Sequence, residues 1–432
     1  MKIKSIHARR IWDSRGRPTV EVEVVNEDGT HGLGMAPAGA SRGSREAVEL
    51  RDGGERFGGL DVQMALQGIE REVAPALRGR DVADQSGIDA ALIALDGTPQ
   101  KERLGGNALI ATSLAVLHAA AAHARLPLWR YLAQGRGAGA PVRLPLPQIQ
   151  IFGGGAHAGR RVDVQDFMVI ATGATSFAQA LEMTAEVYRC AGELMAARGH
   201  LAGVADEGGW WPSFSRNEEA LDTLVAAIEK AGFVPGRDVG IALDIAASEF
   251  GQNGRYKLAL EGQALDSDGL CEMLVNWVDK YPIVSIEDPL AEDDEAGLVA
   301  FTRAVGHRVQ VVGDDYLVTS AQRVVTAATL GACNCVLIKP NQAGTVTETQ
   351  AALAAAQAAG YGTIVSARSG ETEDVAIVHL ATGWNAGQLK VGSFARSERM
   401  AKWNEAVRIE TRAGAPGAFA GRAALSHGGG HS

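Results

Sequence analysis

The second half of the chain is built from short apolar runs, each of which turns ionic at its last residues. In order they are GIALD ending at Asp244, IVSIED with Glu287, VQVVGDD with Asp314, CVLIK ending at Lys339, GTIVSARS with Arg368 and Ser369, and QLKVGS with Lys390. Amphipathic stretches separate them. Ser176 with Gln179 and Thr345 with Glu348 have capping-box spacing, and Gly232 and Gly360 stand where helices should stop. Strand followed by helix, repeated, predicts a parallel sheet. A closed barrel of this kind takes about 250 residues and keeps its active site on the rim formed by the C-terminal strand ends. Six ionic groups then converge on one cleft. A single acid after a strand reads first as a helix N-cap or a solvated loop residue. Six in order make that reading a poor one.

The residue types point to a chemistry. Asp244, Glu287 and Asp314 are hard oxygen ligands whose mutual repulsion calls for a cation, and with no His or Cys among them magnesium suits better than zinc. Lys339 and Lys390, placed opposite such a metal, suit a proton-abstracting base and a carboxylate clamp. A lysine beside a divalent cation and another lysine has its charged form disfavoured, which helps it act as a base.

The first part of the chain has a different rhythm. TVEVEVV (19–25) alternates and is followed by turn residues Asn26 to Gly29, which predicts an antiparallel hairpin or meander. From about 60 to 133 the pattern is helical; Ile88, Leu92 and Leu95 recur at helical spacing and Gly97 follows as a stop. Leu104 to Ala124 carries no charge, but its Ala-rich composition fits a buried helix better than a membrane span. The Gly- and Pro-rich segment 135–147 marks a domain boundary. From about Ala413 an Ala/Gly-rich tail ending in HGGGHS is expected to be a loose terminus, with too little framework for a metal site. The N-terminus lacks the apolar core of a secretory signal. Cys190, Cys271, Cys333 and Cys335 are too few and too unevenly spaced for a disulfide framework, so reduced thiols in a cytoplasmic protein are expected. With 51 acidic against 41 basic residues and a formal charge of −10, binding to nucleic acid through phosphate neutralisation is not expected.

Longer motifs carry a resemblance. DSRGRPTVEVEV (13–24), GASRGSREA (39–47), HA and VDVQDFM within 157–168, ADEGG (205–209), ALDIAASEF (242–250), SIEDPLAEDD (285–294), VGDD (312–315), LIKPNQAGTVTET (337–349), RSGETED (368–374) and NAGQLKVGSFARSER (385–399) make the chain similar to the enolase family from about residue 3 to 412. The resemblance implies an α/β chain with an enolase-type (α/β)8 barrel and a smaller α+β N-terminal domain. The expected division is 1–138 for the N-terminal domain, 139–412 for the barrel and 413–432 for the tail. It also implies two magnesium sites, the second assembled with substrate, and a homodimer or larger homo-oligomer acting on a small phosphorylated three-carbon acid.

By position, Asp244, Glu287 and Asp314 resemble the ligands of the first magnesium, and Ser41 the loop residue that closes over the second. Lys339 resembles the base, Lys390 the lysine that helps bind the substrate carboxylate, and Arg368 and Ser369 the phosphate ligands. Glu207 resembles the acid that assists departure of hydroxide. His157 and Asp166 complete the catalytic set by resemblance.

Five departures from the family pattern fall in or beside the site. The residue before RSGETED is Ala367 where the family has histidine, and the acid in VDVQDFM is Asp166 where it has the longer Glu. The first closing loop runs Ala38, Gly39, Ala40, Ser41, Arg42, Gly43. The second reads Gly153, Gly154, Gly155, Ala156, His157 where the family has Asn-Gly-Gly-Lys-His, and Trp210 and Trp211 follow ADEGG where it has Phe-Ala. Removing His and Lys while adding Arg42 makes Arg42 a candidate contact for an additional anionic group. Trp210 and Trp211 read first as packing residues and second as a flat surface for such a group.

The leading reading is reversible dehydration of 2-phosphoglycerate to phosphoenolpyruvate. The alternative is a specialised homologue of phosphonate natural-product biosynthesis, similar to carboxyphosphonoenolpyruvate synthases, that uses a nucleotide-activated phosphonoformate. A non-catalytic scaffold ranks last, because none of Asp244, Glu287, Asp314, Lys339 and Lys390 is lost.

Overall fold

A computed structural model of the chain describes residues 1–137, 141–413 and 419–425. The N-terminal part opens with an antiparallel meander of β1 (Ile3–Trp12), β2 (Pro18–Asn26) and β3 (His31–Met35). The alternation at 19–25 is therefore β2, paired in a hairpin with β3. β1 is an edge strand with only Ile3 and Ile6 buried, which is why its sequence shows so little apolar alternation.

The uncharged stretch becomes the helix Gly106–His123, almost wholly buried against β2 and β3. Its alanines meet the glycines of β3. A Cβ at Gly32 would lie 2.2 Å from the Ala119 nitrogen, and one at Gly34 2.2 Å from the Ala111 carbonyl oxygen. Small residues on both sides let the backbones touch, which explains the Ala-rich composition. No single helix among the described residues is long and apolar enough to cross a membrane. The helix Gln85–Asp96 is capped by Asp84, which accepts from the Gly87 N–H, and stops at Gly97 with φ +74°.

The barrel consists of β4 (Leu146–Gly153), β5 (Asp166–Ile170), β6 (Gly240–Asp244), β10 (Ile283–Glu287), β11 (Gln310–Gly313), β12 (Cys335–Ile338), β13 (Gly362–Ser366) and β14 (Gly387–Gly392), closed by the pairing of β14 with β4. A small meander of β7 (Gly251–Gln252), β8 (Arg255–Leu258) and β9 (Gln263–Asp266) is inserted after β6. The expected caps are present: Ser176 accepts from the Gln179 N–H and Thr345 from the Glu348 N–H.

One strand departs from the expected parallel order. β5 runs antiparallel to both β4 and β6. Segment 154–165 holds only a 3-10 turn, Gly155–Ala158, and no crossover helix, so the chain returns down the barrel instead of being carried back to its base. The reversal puts the first residue of β5, Asp166, on the same rim as the last residue of β6, Asp244, and the two are paired in register.

The tail also corrects an expectation. Phe419–Leu425 is docked rather than loose: Phe419 packs edge-on against Phe177, and the Ala424 carbonyl accepts from Gln388 at 3.0 Å. Leu425 is buried with Leu146, Met168, Ile170, Ala242 and Val284. Two large apolar residues in an otherwise small-residue segment suffice to plug the base of the barrel. The expected boundary at 138/139 and the two tail histidines lie outside the described residues.

Candidate active site

The strand-end residues do gather on one rim. Glu287 and Asp244 end β10 and β6 and are paired in register, Asp314 and Lys339 follow β11 and β12, and Lys390 lies in β14. A cleft of about 310 Å³ is lined by Ser41, His157, Gln165, Asp166, Glu207, Asp244, Lys339, Ala367, Arg368, Ser369 and Lys390, among others. Its lining is almost wholly polar or charged, which suits a small polar molecule.

Two lysines organise the acids. The Lys390 ammonium lies 2.7 Å from Glu287 Oε2, 2.9 Å from Asp244 Oδ2 and 3.5 Å from Asp166 Oδ2. Lys339 is ion-paired with Asp314. Burial works against the charge on both lysines, yet the acids outweigh it: Asp314 raises the pKa of Lys339, while Asp244 and Glu287 raise that of Lys390 well above its ordinary value. Burial and then Asp244 push Glu287 well above the carboxylate range, against the pull of Lys390. Asp314 moves the other way, lowered by Lys339 in spite of burial.

Glu287 is 2% exposed and its Oε1 is a buried oxygen without a hydrogen-bond partner. An orphaned carboxylate oxygen beside two further buried acids, in an all-oxygen donor set, fits a hard divalent cation. The fit is one of composition and burial. Among the described residues, the groups of buried donors within 4.8 Å of one another are His157 with Asp166 and Glu207, and Asp288 with Asp314 and Asp315. Asp244, Glu287 and Asp314 are instead spread around the two lysines.

His157 links the second loop to the rim. Its Nδ1 lies 3.1 Å from Asp166 Oδ1, and its Nε2 2.8 Å from Ser369 Oγ and 3.7 Å from Glu207 Oε1. Burial opposes the imidazolium, but Glu207 and Asp166 outweigh it and hold the pKa up at about 9. Asp166 is correspondingly lowered, against burial, by His157.

The first loop is latched by a residue that the strand-end reading did not single out. Glu46 accepts from both terminal nitrogens of Arg368, at 2.9 and 3.2 Å, and from the Gly43 N–H at 2.9 Å. Arg368 also donates to the Ser41 carbonyl at 3.0 Å, so the expected phosphate ligand is tied to the expected lid. A Cβ at Gly39 would fall 2.0 Å from the guanidinium, so only glycine lets the loop lie against it. Ser41 itself sits in the cleft, its Oγ 3.3 Å from Gln165 Nε2, which also reaches Asp244.

Arg42 is placed differently from the expectation. Its side chain is 54% exposed, lies 3.6 Å from Glu49, and does not line the cleft. Trp210 packs, as first read: it stacks on Tyr188 at 4.6 Å and donates to the Tyr188 carbonyl; Trp211 is half-buried, donates to Ala158, and has the Arg161 guanidinium over its ring at 5.3 Å.

Other residues were not singled out at the strand ends, although Asp288 closes the run IVSIED. Gln342 donates to Asp314 Oδ1 at 2.8 Å and is oriented by Thr319. Asp288, at φ +40°, receives the N–H groups of Asp314 and Asp315, both at 2.8 Å, and so fixes the start of that loop. Arg399, fully buried, braces the Arg368 and Ser369 carbonyls. Glu46, Gln342 and Arg399 all fall inside the quoted motifs, which was the one signal that could have found them.

Comparison with known proteins covers nearly the whole chain. The family model described as "Enolase, N-terminal domain" matches residues 3–132, and "Enolase, C-terminal TIM barrel domain" matches 141–427. The chain is 48% identical over 416 residues to "Enolase 1" of Desulfitobacterium hafniense strain Y51, covering 96% of this chain and 94% of that one. It is 48% identical over 423 residues to "Enolase" of Acidothermus cellulolyticus, covering 98% and 97%.

Proposed function

The chain belongs to the enolase family, and from that premise we propose how its own residues interconvert 2-phosphoglycerate and phosphoenolpyruvate. What supports the reading most is the pair of lysines set among three buried carboxylates on one barrel rim. Asp244, Glu287 and Asp314 would hold one magnesium ion, and Ser41 would contribute to a second that is completed with substrate. Magnesium bound there supplies positive charge where negative charge develops on the substrate carboxylate.

Lys339 takes the proton from the carbon next to that carboxylate. It can do so only when neutral, so it must first give up its contact with Asp314, and Gln342 then remains as a partner for that acid. Lys390 keeps its charge and holds the substrate carboxylate. Arg368 and Ser369 bind the phosphate, with Glu46 and Arg399 fixing their positions. Glu207 gives a proton to the departing hydroxide and must hold it at that moment; the proton that His157 carries, 3.7 Å away, is its source, and His157 also reaches Ser369.

Incubation of the protein and magnesium with 2-phosphoglycerate, followed by phosphorus NMR, tests this. Phosphoenolpyruvate is the expected product, and its absence would overturn the reading. A parallel tube with CMP-activated phosphonoformate checks the specialised alternative, which gains nothing from Arg42 or the tryptophans as they are placed. The free cysteines agree with a cytoplasmic location. For the homo-oligomer, the exposed edge-on pair of Trp12 and Phe57 is the face to test first against a second copy.

A further inference from the structure

Gln150 lies in β4, 1% exposed, behind the cleft. Its amide works in two directions. Nε2 donates to Asp166 Oδ1, and Oε1 accepts from the Gly209 N–H at 2.8 Å, in the segment that carries Glu207. The amide fits because glycine stands on two sides of it: a Cβ at Gly209 would lie 2.4 Å from Oε1, and one at Gly153 3.2 Å away. Asp166 Oδ1 is at the same time the partner of His157 Nδ1. One buried side chain therefore ties the acid on β5 to the segment bearing the other acid, with His157 between them.

We propose that Gln150 is a positioning residue that sets Asp166 and the Glu207 segment at their working separation. Its length is matched to the short acid at 166. Pairing of Gly153 with Asp166 fixes the distance between the two strands at this point. A side chain reaching up from position 150 must therefore be long where the acid that it meets is short. The proposal rests on the role given above to His157, Asp166 and Glu207.

The match in length between Gln150 and Asp166 has reciprocal consequences. Gln150→Asn withdraws the amide by one methylene, so it cannot hold Asp166 and Gly209 together. By the usual penalty for misplacing a catalytic group by about an ångström, kcat falls roughly 10- to 100-fold while KM for 2-phosphoglycerate changes much less. Asp166→Glu alone also lowers kcat, because the longer acid crowds the amide. The double variant restores the summed length and recovers to within about fivefold of the starting enzyme, a non-additivity that only contacting residues show.

Gln150→Met keeps the bulk without the hydrogen bonds. It loses kcat as well, and Asp166→Glu does not rescue it. An unchanged kcat in Gln150→Asn or Gln150→Met, or losses that simply multiply in the double variant, would overturn the proposal. A nitrogen-15 NMR measurement of the His157 ring N–H bonded to Asp166 needs no turnover. The signal should be present in the starting protein and the double variant and lost in Gln150→Asn; its persistence there would also overturn the proposal. If the unaltered protein does not turn over 2-phosphoglycerate, the functional reading fails and this measurement still decides the role of Gln150.

Discussion

Removing the carboxylate of Glu46 should cost more than removing any other acid of the N-terminal domain near the cleft. Glu46 Oε2 lies 2.9 Å from Arg368 Nη1, while Oε1 takes donors from Arg368, Gly43 and Gln342 at 3.2, 2.9 and 3.2 Å. Both partners of the ion pair are buried, Arg368 at 3% and Glu46 at 6% exposure. Glu46→Ala leaves a guanidinium without its counter-charge, and the cost of breaking such a pair from one side is about 3–5 kcal/mol. Arg368 keeps the Ser41 carbonyl and Asn341 Oδ1, which favours the low end, about 3 kcal/mol. Glu46→Gln keeps shape and an acceptor oxygen and should lose about 1–2 kcal/mol. Urea unfolding reads this as a shift of the midpoint at constant slope. KM for 2-phosphoglycerate should rise in Glu46→Ala, because the latch also carries Ser41. An unfolding free energy within about 0.5 kcal/mol of the starting protein's, the range of ordinary surface changes, would refute the view that this pair joins the two domains.

The remaining predictions concern charge, metal, packing and the altered site. His157, held near 9 with burial opposed by Glu207 and Asp166, keeps a proton in the folded chain that the unfolded chain loses near 6.5. Its contribution to stability is therefore complete below about 6.5 and is lost as pH rises towards 9, and His157→Gln should flatten that slope in denaturant titrations. Glu287→Gln removes a charge that the folded state disfavours, so the metal-free protein should be no less stable; added magnesium should raise the melting temperature of the unaltered protein and leave the variant's unchanged. Gly34→Ala drives a Cβ into the Ala111 carbonyl, which belongs to a helix backbone and cannot yield, and should lower stability by at least about 1–3 kcal/mol in the same unfolding assay. Ala367→His should raise dehydratase turnover if the missing imidazole limits it, and an unchanged kcat would count against that account.

Much of this was legible in the residues themselves. The meander at 19–35, the stop at Gly97, the caps at Ser176 and Thr345 and the barrel strands all follow from local chemistry, because alternation, caps and β-branched runs act over a few residues. The acids and lysines at strand ends were equally readable, since a strand fixes where its last side chain emerges. What the tertiary structure alone decided depends on contacts between residues far apart in the chain. The reversal of β5 brings Asp166 up to the rim beside Asp244, although Asp166 begins its strand instead of ending it. Glu46 reaches across 322 positions to Arg368, and Gln150 reaches Asp166 and Gly209 at once. The docked tail at Phe419 and Leu425 was hidden by its small neighbours. Arg42, promising as a new cation in a loop, turned out to face Glu49 and solvent. Residue type settled which chemistry the chain could perform; the direction of one strand and the closure of the barrel settled which residues stand close enough to take part.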